Sequence, residues 1–118
     1  MITAQQVTDL AGFEFTLSYD PALLKAQSAS IGSFLTNTGR TTSLLGPNID
    51  NTAGTIHFGA FSFGTQPGAS GSGPIALIRF QPLAVGTSAL HWQAATLVNT
   101  AGANLPAAPV DGKIILIP

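Results

Sequence analysis

The sequence predicts an all-β domain, an antiparallel β-sandwich, and three observations carry that reading. Apolar and polar residues alternate with a period of two, above all from Gly12 to Tyr19. Thirteen Gly and eight Pro break the chain at short intervals. No stretch shows the i, i+3, i+4, i+7 apolar spacing of an amphipathic helix.

The elements follow in order. Gly12-Phe13-Glu14-Phe15-Thr16-Leu17-Ser18-Tyr19 is a strand with Phe13, Phe15, Leu17 and Tyr19 on its core face. Asp20-Pro21 ends it, because Pro cannot continue a ladder. Pro21–Leu24 reads as one helical turn, capped by Asp20 with Pro at the first position. Residues 25–30 form a short strand, Thr41–Leu45 another, and Gly46–Asn51 has turn chemistry. Thr55–Phe63 is the second clear strand, with Ile56, Phe58 and Ala60 on one face and His57, Gly59, Phe61 and Phe63 on the other. Gly64–Gly73, rich in Gly and Ser, reads as a flexible loop. Residues 74–81, 88–98 and 112–117 supply three more strands, joined by Ala84–Gly86 and Asn99–Pro109. Residues 1–118 therefore read as a single domain without internal repeat or linker.

Composition excludes several functions. Charged residues make up 8 % of the chain, four Lys or Arg and five Asp or Glu, with a net charge of −1; a soluble domain usually carries about a quarter. Four dispersed cations cannot neutralise a useful number of phosphates, so nucleic acid is excluded as a partner. At 45 % hydrophobic residues the chain is also no disordered segment. With no Cys there is no disulfide, zinc–thiolate site or thiol nucleophile. No apolar run is long enough for a membrane span. Met1–Gln6 has neither the basic nor the apolar region of a signal peptide, which suits an intracellular protein or a domain of a longer chain.

Catalytic constellations are missing as well. His57 and His91 fall inside strand patterns beside Phe58 and Trp92, and no Gly-x-Ser-x-Gly elbow accompanies them. The Asp residues are isolated, so a metal could be held only by loop carbonyls with one carboxylate. One Glu and four Asp, three of them in turns, do not make a glycosidase pair. Tyr19 and Trp92 share the core phase and leave no planar platform for a sugar. No catalytic residue, metal ligand or cofactor is expected.

Taken together, LAGFEFTLSYDPALL, GTIHFGAFSFG, GSGPIALIRFQPLAVGTSALHW and ATLVNTAGANLPAAPVDGKIIL resemble, in order and spacing, the cohesin domain family. Gly12–Pro21 and Ile78–Phe80 carry most of the likeness, with Leu97-Val98-Asn99 and Val110-Asp111-Gly112 adding to it. The resemblance implies a jelly-roll sandwich that binds a dockerin-type protein in extracellular or cell-surface assembly, without catalysis. It implies a partner-binding sheet face with Gly12, Glu14 and Thr16 on one strand and His57, Gly59, Phe61 and Phe63 on another. The family often places a polar side chain where Gly12 stands, so one partner hydrogen bond is missing. Phe61 and Phe63 read either as apolar anchors or as residues packed beneath the Gly64–Gly73 loop or a missing strand. The alternatives are a carbohydrate-binding module with a polysaccharide ligand, and a structural spacer of a surface protein.

One departure stands out. The family begins with an extra strand and a Val-rich second strand, whereas only Ile2–Leu10 precedes Gly12 here. The first strand is expected to be absent and the second shortened, leaving a sheet edge open or paired with another copy as a homodimer.

Overall fold

The longest strand, β1, is shared by both layers of the sandwich. The computed structural model describes residues 1–117, and β1 runs from Ile2 to Ser18. It is followed by β2 (Leu24–Ile31), the short helix α1 (Ser33–Thr36), β3 (Thr41–Asp50) and β4 (Thr55–Phe63). Then come β5 (Ala69–Pro82), β6 (Gly86–Asn99), β7 (Asn104–Leu105) and β8 (Gly112–Leu116). All pairings are antiparallel. The first half of β1, Ile2–Leu10, pairs with β5, which pairs with β2. The second half, Gly12–Ser18, lies between β4 and β6, and β3 pairs with β4 at the edge. β6 divides in the same way: Gly86–Leu90 pairs with β8, and His91–Asn99 with β1.

The core lies where these layers face each other. Phe13, Phe15 and Phe58 pack with ring centroids 6.0–6.1 Å apart, and Leu10, Leu24, Leu35 and Ile56 are fully buried around them. Burying side chains of this size stabilises by about 1.5–3 kcal/mol each. Period-two alternation in β1 and β4 delivers Phe13, Phe15, Ile56 and Phe58 to one face, as the sequence implies. Tyr19 is buried just past the end of β1, edge-on to Phe80, and its hydroxyl donates to Asn51 Oδ1.

Four boundaries differ from the sequence reading, each for a physical reason. β1 starts ten residues before Gly12 because bulges absorb its irregular first half. Gln6 and Asp9 have φ of +54° and +59°, and the register with β5 shifts beside each. Their N–H groups donate instead to Ser72 Oγ and Ser70 Oγ, both at 3.0 Å. Those serines belong to the expected Gly64–Gly73 loop, which is a loop only to Gly68, since β5 begins at Ala69. Of the expected Gly46–Asn51 turn, only Asn51 lies in one. β3 continues to Asp50 across a bulge between Leu45 and Asn48, and Pro47 is tolerated because β3 is an edge strand. The chain reverses after it, where the Gly54 N–H donates to the Asp50 carbonyl at 2.8 Å. The Pro21–Leu24 segment is a turn that leads straight into β2; Asp20 caps it, Oδ1 accepting the Ala22 N–H at 2.9 Å.

α1 and β7 carry no alternating or helical signal long enough to read from sequence. Arg40 is buried against acceptors alone: its guanidinium donates to Ser62 Oγ and Ser62 O at 2.9 Å, to Gly64 O at 3.2 Å and to Gln66 O at 2.7 Å. These bonds tie the end of β4 and the loop behind it into one rigid corner.

Candidate functional site

The residues singled out from sequence fall on one sheet face because their strands are neighbours in register. Gly12 stands opposite Phe61, Glu14 opposite Gly59 and Thr16 opposite His57. The rows continue outward through β6 as Val98, Thr96 and Ala94, and through β3 as Ser43, Leu45 and Asn48. Three cross-strand rows therefore span four strands: Val98–Gly12–Phe61–Ser43, Thr96–Glu14–Gly59–Leu45 and Ala94–Thr16–His57–Asn48. Phe63 sits beyond the first row, opposite Thr41.

Two glycines shape this face. A Cβ on Gly59 would lie 2.6 Å from the Phe13 carbonyl oxygen, and one on Gly12 would lie 3.0 Å from the Phe61 Cβ. The space above Gly59 lets the Glu14 side chain lean diagonally, and its Oε1 meets His57 Nε2 at 2.7 Å. The space at Gly12 is taken by Phe61, so the polar side chain the family often carries there would collide with this ring's root. Phe61 and Phe63 are 40 % and 49 % exposed, and their rings lie 6.1 Å apart, tilted by 41°. At that exposure they are not covered by the following loop. Gly12, Glu14, Leu45, Phe61, Thr96 and Val98 together surround a shallow depression of about 100 Å³.

Leu45, Thr96 and Val98 were missed in sequence. From sequence Leu45 is only the end of a strand, and Val98 belongs to a strand whose phase slips once. The register between β1 and β6 shifts at Thr16/Leu17, so Ala94 opposes Thr16 while Trp92 opposes Leu17. Ala94 and Trp92 consequently face opposite sides, not the same side as strict alternation from Trp92 suggests. Knowing that β6 lies beside Gly12–Ser18 would have found Thr96 and Val98, and only pairing supplies that.

The second histidine belongs elsewhere. His91 Nδ1 meets Asp111 Oδ2 at 2.8 Å, while Asp111 Oδ1 accepts the Trp92 N–H at 3.1 Å. The His91 and Trp92 donors hold the Asp111 carboxyl below the usual carboxylate range. The Trp92 indole donates to the Val110 carbonyl at 2.9 Å and stands edge-on to Phe15, centroids 5.2 Å apart. With Tyr19 buried and Trp92 set edge-on, neither offers the flat exposed ring that polysaccharide stacking requires. Among the described residues no three His, Asp or Glu side chains come together in a metal-holding group.

The two layers and the flat, nearly uncharged four-stranded face define a class: β-sandwich modules that present a sheet to a partner. The family model of the cohesin domain matches residues 1–116, and the chain belongs to the cohesin domain family. No curated protein matches the sequence. Among solved structures, the chain is similar to the type I cohesin–dockerin complex of Clostridium thermocellum (TM-score 0.76, 17 % identity, covering 98 % of this chain and 84 % of that one). It is also similar to a non-cellulosomal cohesin of the archaeon Archaeoglobus fulgidus (TM-score 0.73, 17 % identity, 98 % and 77 % covered). A third is the sixth cohesin of scaffoldin B of Acetivibrio cellulolyticus, in complex with a Cel5 dockerin (TM-score 0.73, 18 % identity, 98 % and 88 % covered). At these identities the likeness is one of fold.

Proposed function

We propose that the chain is a non-catalytic attachment module that docks a dockerin-type partner outside the cell, on the face of Gly12, Glu14, Thr16, His57, Gly59, Phe61 and Phe63. The observation that carries this reading is the pair of exposed phenylalanines beside a glycine-floored depression, which Leu45 and Val98 also border. Exposed aromatics next to a pocket are the usual energetic centre of a protein interface. An apolar side chain of the partner would enter the depression between Phe61, Leu45 and Val98. The Glu14–His57 pair at its border would accept and donate hydrogen bonds that fix orientation. Family membership supports the partner class, and the solved complexes of similar fold show dockerins bound to such modules.

The test is calorimetric titration of the chain with dockerin modules encoded in the same genome. Binding should weaken more than ten-fold in Phe61→Ala while the melting temperature moves little. Unchanged affinity together with a loss of about 3 kcal/mol or more, the cost of truncating a core Phe, would place Phe61 in the core instead.

A further inference from the structure

The candidate face carries one pair of titratable groups at its centre. Glu14 Oε1 and His57 Nε2 lie 2.7 Å apart, and the two side chains are 51 % and 39 % exposed. Both are hydrated while the face is free and lose that water under a partner. Around them Thr16, Ala94, Thr96, Leu45 and Asn48 carry no charge. The row beyond adds His91 of β6 and Asp50 of β3, in register with Ser18 and Thr55. Both are engaged elsewhere: His91 Nδ1 meets Asp111, and Asp50 Oδ1 accepts the N–H groups of Thr52 and Ala53. Arg40, just before β3, gives its guanidinium to Ser62, Gly64 and Gln66. Glu14 and His57 therefore have only each other as charged partners on this face.

Counting protons shows what docking does to such a pair. Two of its states are neutral: carboxylate with imidazolium, and carboxylic acid with imidazole. Both hold one proton more than carboxylate with imidazole, which has a net charge of −1. Water solvates that charge easily. Under an uncharged surface it becomes a buried charge without a counter-charge, which costs far more than a neutral pair. Covering the pair therefore favours the form with the additional proton, whichever atom carries it. A partner cation set against Glu14 would remove that preference. The surroundings fit an apolar contact instead, since the Glu14 carboxylate is engaged by His57 and Leu45, Phe61 and Val98 border the depression beside it.

We propose that docking on this face takes up one proton from solvent, and that the partner surface covering Glu14 and His57 is uncharged. The inference rests on the docking role proposed above. Proton and partner are then two ligands, each of which strengthens the binding of the other. Imidazole changes its charge between about pH 5 and 8, so affinity rises as the pH falls through that range. One proton taken up is worth at most about ten-fold in affinity per pH unit. His57 thus makes attachment sensitive to pH: the partner is held in a mildly acid medium and released in an alkaline one.

The experiment titrates the chain calorimetrically with dockerin modules encoded in the same genome, at about pH 6 and about pH 8. Repeating it at about pH 7.5 in HEPES and in Tris, whose ionisation enthalpies differ, counts the protons taken up. The chain should bind at least ten-fold more tightly at the lower pH and take up at least about half a proton at pH 7.5. His57→Gln keeps a donor for Glu14 but cannot titrate, so it should lose most of the pH dependence and of the proton uptake. Titration within the dockerin is common to both proteins and cancels. Glu14→Gln should reverse the dependence, because its neutral pair is the one with unprotonated imidazole. No dockerin bound at either pH, or binding indifferent to Phe61→Ala, overturns the docking role and this inference with it. Binding that needs Phe61 but takes up no proton, or keeps its pH dependence in His57→Gln, overturns this inference alone. So does release of a proton, which would place a partner cation on Glu14.

Discussion

The two halves of β1 show what a strand gains from having neighbours on both sides. Gly12–Ser18 is paired with β4 and β6, keeps strict alternation, and puts one face in the core and the other on the candidate docking surface. Ile2–Leu10 is paired on one side, is bulged twice, and is held at its bulges by Ser70 and Ser72 rather than by ladder bonds. A doubly paired strand has its register set twice, and a slip in either would turn its apolar residues outward. A singly paired strand can tolerate irregularity, and this one has it. Order in β1 therefore follows pairing, not chain position.

The comparison breaks most sharply at the contact between β1 and β4. Phe58→Ala empties the centre of the Phe13–Phe15–Phe58 cluster and should cost about 3–5 kcal/mol in denaturant unfolding. A cost below about 1 kcal/mol would mean that the doubly paired half is not the stabilising one. Gly59→Val comes next. Its side chain would press into the Phe13 carbonyl, and overpacking of this kind costs about 1–3 kcal/mol. The same variant should lose partner binding, because β1 and β4 can no longer hold Glu14 against His57; titration with a cognate dockerin would show it.

Two smaller effects sharpen the contrast. Amides of Gly12–Ser18 should exchange near the rate of global unfolding, and those of Ile2–Thr8 much faster. Uniform protection along β1 would erase the distinction between its halves. Asp9 offers the finest test. The Thr100 hydroxyl and the Gly68 N–H donate to its carboxylate and hold its pKa below the usual carboxylate value. A depressed folded-state pKa adds stability at neutral pH that is lost as pH falls through that value. Asp9→Asn should therefore lower the melting temperature slightly at pH 7, and less at an acid pH below the lowered pKa of the parent carboxyl. An equal difference at both pH values would show that Asp9 acts without its charge.

The same split governs how far the sequence could be read. Phe13, Phe15, Leu17, Ile56 and Phe58 announced two core strands because alternation is local information. The seven candidate face residues followed from the opposite phase of those strands, helped by the family likeness. What stayed hidden depended on pairing between distant segments. The strand character of Ile2–Leu10 is masked by left-handed residues at Gln6 and Asp9, and that of Ala69–Gly73 by a composition typical of loops. Leu45, Thr96 and Val98 join the face only because β3 and β6 flank the strands already found.

The position of β1 ahead of all its partners has a kinetic consequence. Synthesis releases this strand before its partners, which end at Phe63, Pro82 and Asn99. Until those residues leave the ribosome, Phe13, Phe15 and Leu17 have no sheet to join. Folding must then close three long loops around one segment, the kind of topology that folds in milliseconds to seconds rather than microseconds. During that wait β1 is an alternating apolar ribbon without a mate, and chaperone contact during translation should concentrate on it.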